Sequence, residues 1–108
     1  MLKNFRFIGY QPLLGLDFYC ERKIQTIKKD FPQVRDCYGF SSLKSGQLQL
    51  TLIAHLQSGV LEAHRQVYVT HHWDKQVGWE RDYIDEVTKD LQQQIRDWDS
   101  AVSEKAED

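Results

Sequence analysis

Hydrophobic and polar residues alternate with a period of two across residues 47–70, the most regular pattern in the chain. The apolar side of the pattern is formed by Leu48, Leu50, Leu52, Ala54, Leu56, Leu61, Ala63, Val67 and Val69. Ser58 and Gly59 interrupt the alternation, and glycine can supply the positive φ that a tight turn requires. The pattern predicts an antiparallel hairpin with one dry face and one polar face.

The loop position also predicts which residues of the hairpin pair. With Ser58-Gly59 as a two-residue loop, Leu56 lies opposite Leu61 and Leu50 lies opposite Val67. Both apolar sets then share one face, which a slip of one residue would destroy. Arg65 alone interrupts the apolar set.

Two further stretches follow the helical period, with apolar residues every three or four positions. In residues 13–30 the apolar stripe consists of Leu13, Leu16, Cys20, Ile24 and Ile27, and it continues to Phe31. In residues 81–98 the stripe consists of Ile84, Val87, Leu91, Ile95 and Trp98. Asp17 is expected to cap the first helix, and Pro32 stops it. Each stripe predicts an amphipathic helix.

Shorter patterns complete the order of elements. Residues 3–9 and 33–40 are predicted strands, the second with Val34, Tyr38 and Phe40 as candidates for burial. Gly39 either weakens this second strand or marks a bulge in it. Residues 41–46 are expected to form a polar turn and residues 71–78 a loop. The resulting order, β-α-β-β-β-α, predicts an α+β fold: a four-stranded mixed sheet whose first two strands are parallel, with both helices on one face and the other face open.

Composition and charge favour one soluble domain. The chain has 108 residues, 41% hydrophobic and 28% charged, and no apolar run reaches the ~20 residues of a membrane span. Residues 97–108 carry five acids and one lysine, whereas residues 1–96 have a net charge of +2. We expect a single domain over residues 1–98 and a fraying acidic tail over 99–108. Two cysteines outside any metal-binding spacing suggest reduced thiols in a cytoplasmic protein without a membrane partner.

This order and these segments resemble the family of ribosome hibernation-promoting factors and ribosome-associated inhibitors. The resemblance covers about residues 4–96 and rests on the strand FRFIG, the helix ending in ERKIQTIKKDFP, the two long strands and the closing helix DYIDEVTKDLQQQIRDW. It implies a non-enzymatic translation inhibitor, active under stress and without a cofactor, that binds rRNA of the small ribosomal subunit. Such a protein acts by steric occupancy of the tRNA and mRNA channel.

The resemblance also implies which residues bind RNA, because family members contact rRNA through basic residues on both helices. The matching positions are Arg22, Lys23, Lys28, Lys29, Lys89 and Arg96. The second helix departs from the family by carrying Gln92-Gln93-Gln94 where Lys and Arg are usual, and fewer charges mean weaker phosphate binding. Without the resemblance, the basic positions of the first helix are also consistent with a solvated surface whose last lysines complement the helix dipole.

A protein-interaction module is the alternative function. It would use either the open sheet face or the loop that carries Trp73, with Trp79 after it, to dock a partner chain. Tyr68 on the open face is a further candidate for stacking on a base or contacting a partner. Burial of Trp73 or Trp79 under the sheet edge is the favoured alternative, because a domain of this size usually buries its tryptophans.

Other chemistry has little support in the sequence. His55, Glu62 and His64 fall on the open face, and the expected register makes the two histidines diagonal neighbours. They form a partial zinc set without a fourth ligand, so we predict exposed, pH-sensitive histidines and no metal site. No nucleophile lies beside a recognisable base, so no catalytic residue is assigned. The sequence leaves the oligomeric state open.

Overall fold

A computed structural model of the chain describes residues 4–9, 11, 15–68 and 79–107, without the side chains of residues 79, 80 and 99–107. The elements are β1 (Phe5–Ile8), α1 (Leu16–Asp30), β2 (Val34–Lys44), β3 (Gln47–Leu56), β4 (Gly59–Tyr68) and α2 (Trp79–Glu107). Their order confirms the predicted β-α-β-β-β-α arrangement.

The four strands form one mixed sheet in the order β1-β2-β3-β4. β1 is parallel to β2, as a strand-helix-strand crossover requires, and the other neighbouring pairs are antiparallel. α1 packs against β1 and β2, and α2 packs against β3 and β4. The α+β fold with a four-stranded mixed sheet is therefore confirmed.

The core lies between the helices and the sheet and is built from the predicted stripes. α1 contributes Leu16, Cys20, Ile24 and Ile27, α2 contributes Ile84, Val87, Leu91 and Ile95, and β3 contributes Leu50, Leu52, Ala54 and Leu56. Burying a large aliphatic side chain stabilises the fold by about 1.5–3 kcal/mol relative to leaving it exposed. The helix stripes and the leucine face of the hairpin thus form one continuous core.

The hairpin has a different register from the predicted one. Leu56 pairs with Gly59 and Ala54 with Leu61, so the turn consists of Gln57 and Ser58 rather than Ser58 and Gly59. The shift is two residues, and because side chains alternate with a period of two, the same residues still face the core. Hydrophobic alternation determined the face but could not distinguish between these two registers.

Gly59 has a packing role rather than the predicted turn role. It lies in β4 and is not among the positive-φ residues of the described chain. A Cβ at this position would lie 2.8 Å from Cη2 of Trp98, so the indole packs directly on the glycine backbone. The indole Nε1 also donates a hydrogen bond to Ser58 Oγ at 3.3 Å. The glycine allows α2 to approach the end of the hairpin closely.

β2 extends to Lys44 and absorbs most of the predicted turn, which shrinks to Ser45 and Gly46. The irregularity in this strand lies between Val34 and Asp36, so of the two alternatives for Gly39 a bulge at that residue is wrong. The extra residue changes the alternation, so that Val34 is buried, Cys37 is buried, and Tyr38 and Phe40 turn away from the core. The predicted burial of Val34 is correct, whereas the two aromatic residues are only half-buried.

The ends of the helices also differ from the expectations. α1 begins after Gly15, whose left-handed backbone occupies the cap position without a side-chain hydrogen bond. Asp17 is not the cap: it lies in the first turn and accepts a hydrogen bond from the backbone N–H of Phe18. α2 begins two residues earlier than predicted and its backbone is helical to Glu107. The division at residue 98 into a domain and a tail stays a prediction.

In the described part of the chain, no helix is both long and apolar enough to cross a membrane.

Both cysteine thiols are expected to be protected in the folded state. Cys20 and Cys37 are buried and neither forms a disulfide, and burial raises the pKa of the Cys37 thiol to about 11. Because the thiolate is the reactive form, a disulfide reagent at pH 8 should label neither thiol rapidly in buffer and both in denaturant. Absorbance of the released chromophore measures this directly. Rapid labelling in buffer would contradict the packing of α1 on β2.

Candidate nucleic-acid interface

The two helices lie side by side and run in the same direction. Near their starts, the Tyr19 hydroxyl of α1 donates a hydrogen bond to Asp85 Oδ1 of α2 at 2.5 Å. At the end of α1, the guanidinium of Arg96 lies 5.5 Å from the centroid of the Phe31 ring. The two contacts are 12 residues apart on the α1 side and 11 on the α2 side. A groove therefore runs along the solvent side of the two helices.

Basic side chains line the α2 wall of this interhelix groove. Arg81, Lys89 and Arg96 are spaced at eight and seven residues and are all exposed. At 100° per residue these positions fall within one side of the helix, the side that carries Asp85. On α1, Lys23 faces the same groove. Four cations from two helices are thus brought together along about 22 Å of helix.

Acidic residues on the walls are fewer. Asp82 and Asp85 share the helical side of the α2 cations, and Asp30 lies at the end of α1 on the side that faces α2, as its helical position indicates. Lys23 Nζ forms an ion pair with Asp85 Oδ1 at 3.1 Å. In the described contacts, the guanidinium groups of Arg81 and Arg96 pack against aromatic rings and not against carboxylates. Because the cationic side chains outnumber the carboxylates, the groove has a net positive charge.

Tyr19 contacts two of the cations at the end of the groove where both helices begin. Lys23 Nζ and the guanidinium carbon of Arg81 each lie 5.2 Å from the centroid of its ring. The electron-rich faces of aromatic rings attract cations, and the interaction contributes about 0.5–1 kcal/mol at exposed sites. One tyrosine thus positions two cations with its ring and one carboxylate with its hydroxyl.

The same contacts shift three pKa values. Burial acts to raise the pKa of Asp85, but hydrogen bonds from Tyr19 and Lys23 and the charges of Lys23 and Lys89 outweigh it and lower that pKa. Burial acts to lower the pKa of Lys23, and Asp85 outweighs it, so the pKa rises. Burial and the hydrogen bond to Asp85 raise the pKa of Tyr19. All three groups therefore keep their neutral-pH charge states.

The lowered pKa of Asp85 predicts a pH-dependent contribution to stability. A carboxyl whose pKa is lower in the folded than in the unfolded state stabilises the fold above its unfolded pKa of about 3.9, and this stabilisation is lost as pH falls through the folded value. Asp85→Asn should therefore lower the free energy of unfolding at pH 7 by up to about 1 kcal/mol, since the pair is partly exposed. Urea denaturation at pH 7 and pH 3 measures the difference, which should be smaller at pH 3. An equal difference at both pH values would contradict this role.

The predicted RNA-binding residues do not form one surface. Lys23, Lys89 and Arg96 line the groove, whereas Arg22 and Lys29 are exposed on the outward side of α1. Lys28 lies on the opposite flank of that helix, where it contacts Asp36 at 3.6 Å and donates a hydrogen bond to Asn4 Oδ1 at 3.3 Å. Lys28 therefore connects α1 to β2 and to the residue before β1, as well as carrying charge.

Two residues of the groove, Arg81 and Tyr19, were not predicted from the sequence. Arg81 lies eight residues before Lys89, a spacing that places both on one side of a helix, and this signal was present in the sequence. Tyr19 carries no such signal, because its partners lie 66 residues away in α2. The organising role of this tyrosine depends on tertiary structure alone.

The glutamine-rich part of α2 also has a structural role. Gln94 Nε2 donates a hydrogen bond to the backbone carbonyl of Glu62 in the edge strand β4 at 2.9 Å. Arg65, the residue that interrupts the apolar face, forms an ion pair with Asp90 of α2 at 2.5 Å. Polar groups directed at an edge strand hinder its pairing with other chains. The Gln94 side chain thus connects α2 to β4 through a hydrogen bond.

The histidines of the open face are further apart than expected. In the observed register, His64 pairs with Thr51 and His55 with Val60, so the two histidines are not diagonal neighbours. Thr51 Oγ1 and His64 Nδ1 are 3.0 Å apart. In the described part of the chain, no three potential ligands converge on a metal position.

The aromatic candidates for partner contact have different outcomes. Tyr68 is 71% exposed at the end of β4, on the open face. Trp73 and the loop around it lie outside the described residues. Trp79 is the first residue of α2, and its side chain is not described. Contact of these three residues with a partner stays a prediction.

Comparisons with known proteins support the fold. No known protein family matches the sequence, and no curated protein does. Among solved structures, the chain is similar to a ribosomal subunit interface protein from Coxiella burnetii, with a TM-score of 0.66 and 10% identity over 90% of this chain and 96% of that one. It is also similar to the N-terminal domain of Protein Y from Thermus thermophilus, with a TM-score of 0.59 and 15% identity over 89% of this chain and 99% of that one. Both are of the hibernation-promoting factor type, so the resemblance is confirmed as a likeness of fold.

Proposed function

We propose that this protein binds the small ribosomal subunit through rRNA and inhibits translation by steric occupancy. The observation that carries the proposal is the interhelix groove, in which Lys23, Arg81, Lys89 and Arg96 converge from two helices. The fold similarity to a ribosomal subunit interface protein supports the choice of the ribosome as partner. A cytoplasmic location fits that partner, and a role in the stress response is what the family resemblance implies.

Phosphate binding suits the chemistry of the groove. Arginine presents a planar fork of donors to phosphate oxygens, and lysine acts as a compact charge. The cations are spaced about 12 Å and 10.5 Å along α2, so they can contact separate phosphates of a folded RNA rather than one small anion. Tyr19 holds two of them in place before binding, which lowers the entropy lost on association.

The proposed mechanism requires occupancy and no chemical step. A rigid domain that covers the path of tRNA and mRNA excludes them for as long as it is bound. The protein-interaction alternative depends on the open face or on Trp73 and Trp79, and the described residues provide no contact that favours it over the groove.

Binding to purified ribosomal subunits tests the proposal. We expect the protein to pellet with small subunits at 50 mM monovalent salt and to be released with a steep dependence on salt, because neutralised phosphates release counterions. Large subunits provide the control and should retain less protein. Equal retention by both subunits, or retention that does not change with salt, would overturn the proposal.

A further inference from the structure

A second feature lies on the sheet face opposite the helices. The β2 bulge between Val34 and Asp36 turns Tyr38 and Phe40 outward, away from the core. In the parallel pairing of β1 and β2, Arg6 is the partner of Phe40. Bulges commonly redirect side chains beside functional sites. An aromatic pair and an exposed cation are thus placed together on neighbouring strands.

These residues surround a depression of about 390 Å³, which we call the sheet pocket. Among the described residues it is lined by Asn4, Arg6, Ile8, Tyr38, Gly39 and Phe40. Its volume lies in the range of small-ligand sites. Ile8 is 52% exposed, an unusual exposure for a large aliphatic residue, and it extends the apolar wall. The pocket can hold one flat, partly apolar group.

Tyr38 is fixed in position before any ligand binds. Its hydroxyl lies 2.9 Å from His55 Nε2, and the two rings stack at a centroid distance of 5.4 Å and an angle of 29°. The Asn4 amide is directed elsewhere, because its Nδ2 donates to Glu21 Oε1 at 2.7 Å and its Oδ1 accepts from Lys28. Arg6 is therefore the charged group of the pocket, and the described lining contains no carboxylate.

We propose that the sheet pocket binds an unpaired base of single-stranded RNA. Open sheets bind single-stranded RNA by stacking its bases on aromatic side chains, while a nearby cation contacts the adjoining phosphate. Phe40 and Tyr38 provide the stacking surface, and Arg6 contacts the phosphate. The inference shares the partner class of the proposed function, but it rests on a different face and different residues.

A short RNA that carries 2-aminopurine tests the proposal, because stacking quenches the fluorescence of this base. The probe is a trinucleotide with 2-aminopurine in the middle, titrated with the full chain at 0.1 M salt. We expect saturable quenching. Phe40→Leu should weaken binding by about 5- to 140-fold, the range that corresponds to loss of one stacked base. Arg6→Gln should weaken it about fivefold through loss of one phosphate contact.

Matched variants separate this site from the rest of the molecule. Phe18→Leu makes the same aromatic change on the outward side of α1, where Phe18 is 66% exposed, and should leave quenching unchanged. Arg81→Glu with Lys89→Glu removes cations from the groove and tests whether the quenching arises there instead. Circular dichroism verifies that Phe40→Leu folds, and Arg6→Gln, at an exposed position, provides the test if it does not.

The outcomes are distinguishable from failure of the proposed function. Quenching that is lost in Phe40→Leu and weakened in Arg6→Gln supports the pocket, even if the protein does not bind ribosomal subunits. Absence of quenching, or equal quenching in the parent and both pocket variants, overturns it. Loss of quenching only in the groove variant also overturns it, since the base would then stack beside Tyr19.

Discussion

The double variant Arg81→Glu and Lys89→Glu is expected to bind small ribosomal subunits at least about 60-fold more weakly than the parent chain. Each phosphate contact contributes about 0.9 to the slope of log affinity against log salt, so loss of two contacts at 0.1 M corresponds to this factor. Charge reversal adds repulsion from neighbouring phosphates. Both residues are exposed, so the fold should tolerate the change.

A control with the same net charge distinguishes a local site from a general attraction. Arg35→Glu with Lys44→Glu also changes the net charge by −4, at exposed positions of β2 away from the groove. Pelleting with subunits over a series of salt concentrations gives the affinity and its slope. We expect the groove variant to lose about two units of slope and the control to lose less than one. Similar losses in both variants would indicate that overall charge, not the groove, drives binding.

Gly39→Ala is expected to cause the largest loss of stability among single substitutions of glycine in the sheet. A Cβ at Gly39 would lie 2.5 Å from Leu52 Cδ2 and 2.6 Å from the backbone oxygen of Thr51. The leucine is fully buried and the oxygen belongs to a paired central strand, so neither can move freely. Overpacking of this kind costs about 1–3 kcal/mol and occasionally more, and we expect the upper end.

Gly59→Ala is the matched control, because it makes the same change in another strand. Its Cβ would meet the outer edge of the Trp98 ring at 2.8 Å, and a side chain can rotate where a backbone cannot. Alanine also reduces the entropy of the unfolded chain, which favours folding by about 0.4–1 kcal/mol. Urea denaturation of both variants should give a loss for Gly59→Ala within about 1 kcal/mol. Equal losses would mean that the surroundings of Gly39 can relax.

The fold was largely predictable from the sequence, because it depends on patterns that repeat. Leucines at alternate positions of β3 and apolar residues at helical spacing in α1 and α2 gave the correct elements, faces and order. The predicted hairpin register was wrong by two residues because both registers bury the same face, so the hydrophobic pattern cannot distinguish between them. In the observed register Trp98 packs on Gly59. A local pattern does not reveal such a contact, because the two residues are distant in the sequence.

The candidate sites were less predictable because they depend on tertiary contacts. The family resemblance named Lys23, Lys89 and Arg96, but the hydrogen bond that aligns Tyr19 with Asp85 joins residues 66 positions apart. The sheet pocket depends on one extra residue in β2, which reverses the facing of Tyr38 and Phe40. A bulge of this kind leaves no local signal in the sequence, so these rings were expected in the core.

Sedimentation of extracts from stationary-phase cells through a sucrose gradient tests the central claim most directly. At low salt the protein should migrate with fractions that contain the small ribosomal subunit, and it should move to the top of the gradient when salt is raised. The Arg81→Glu, Lys89→Glu variant should remain at the top under both conditions. If the parent protein also remains at the top at low salt, it does not bind ribosomes and the proposed function is wrong.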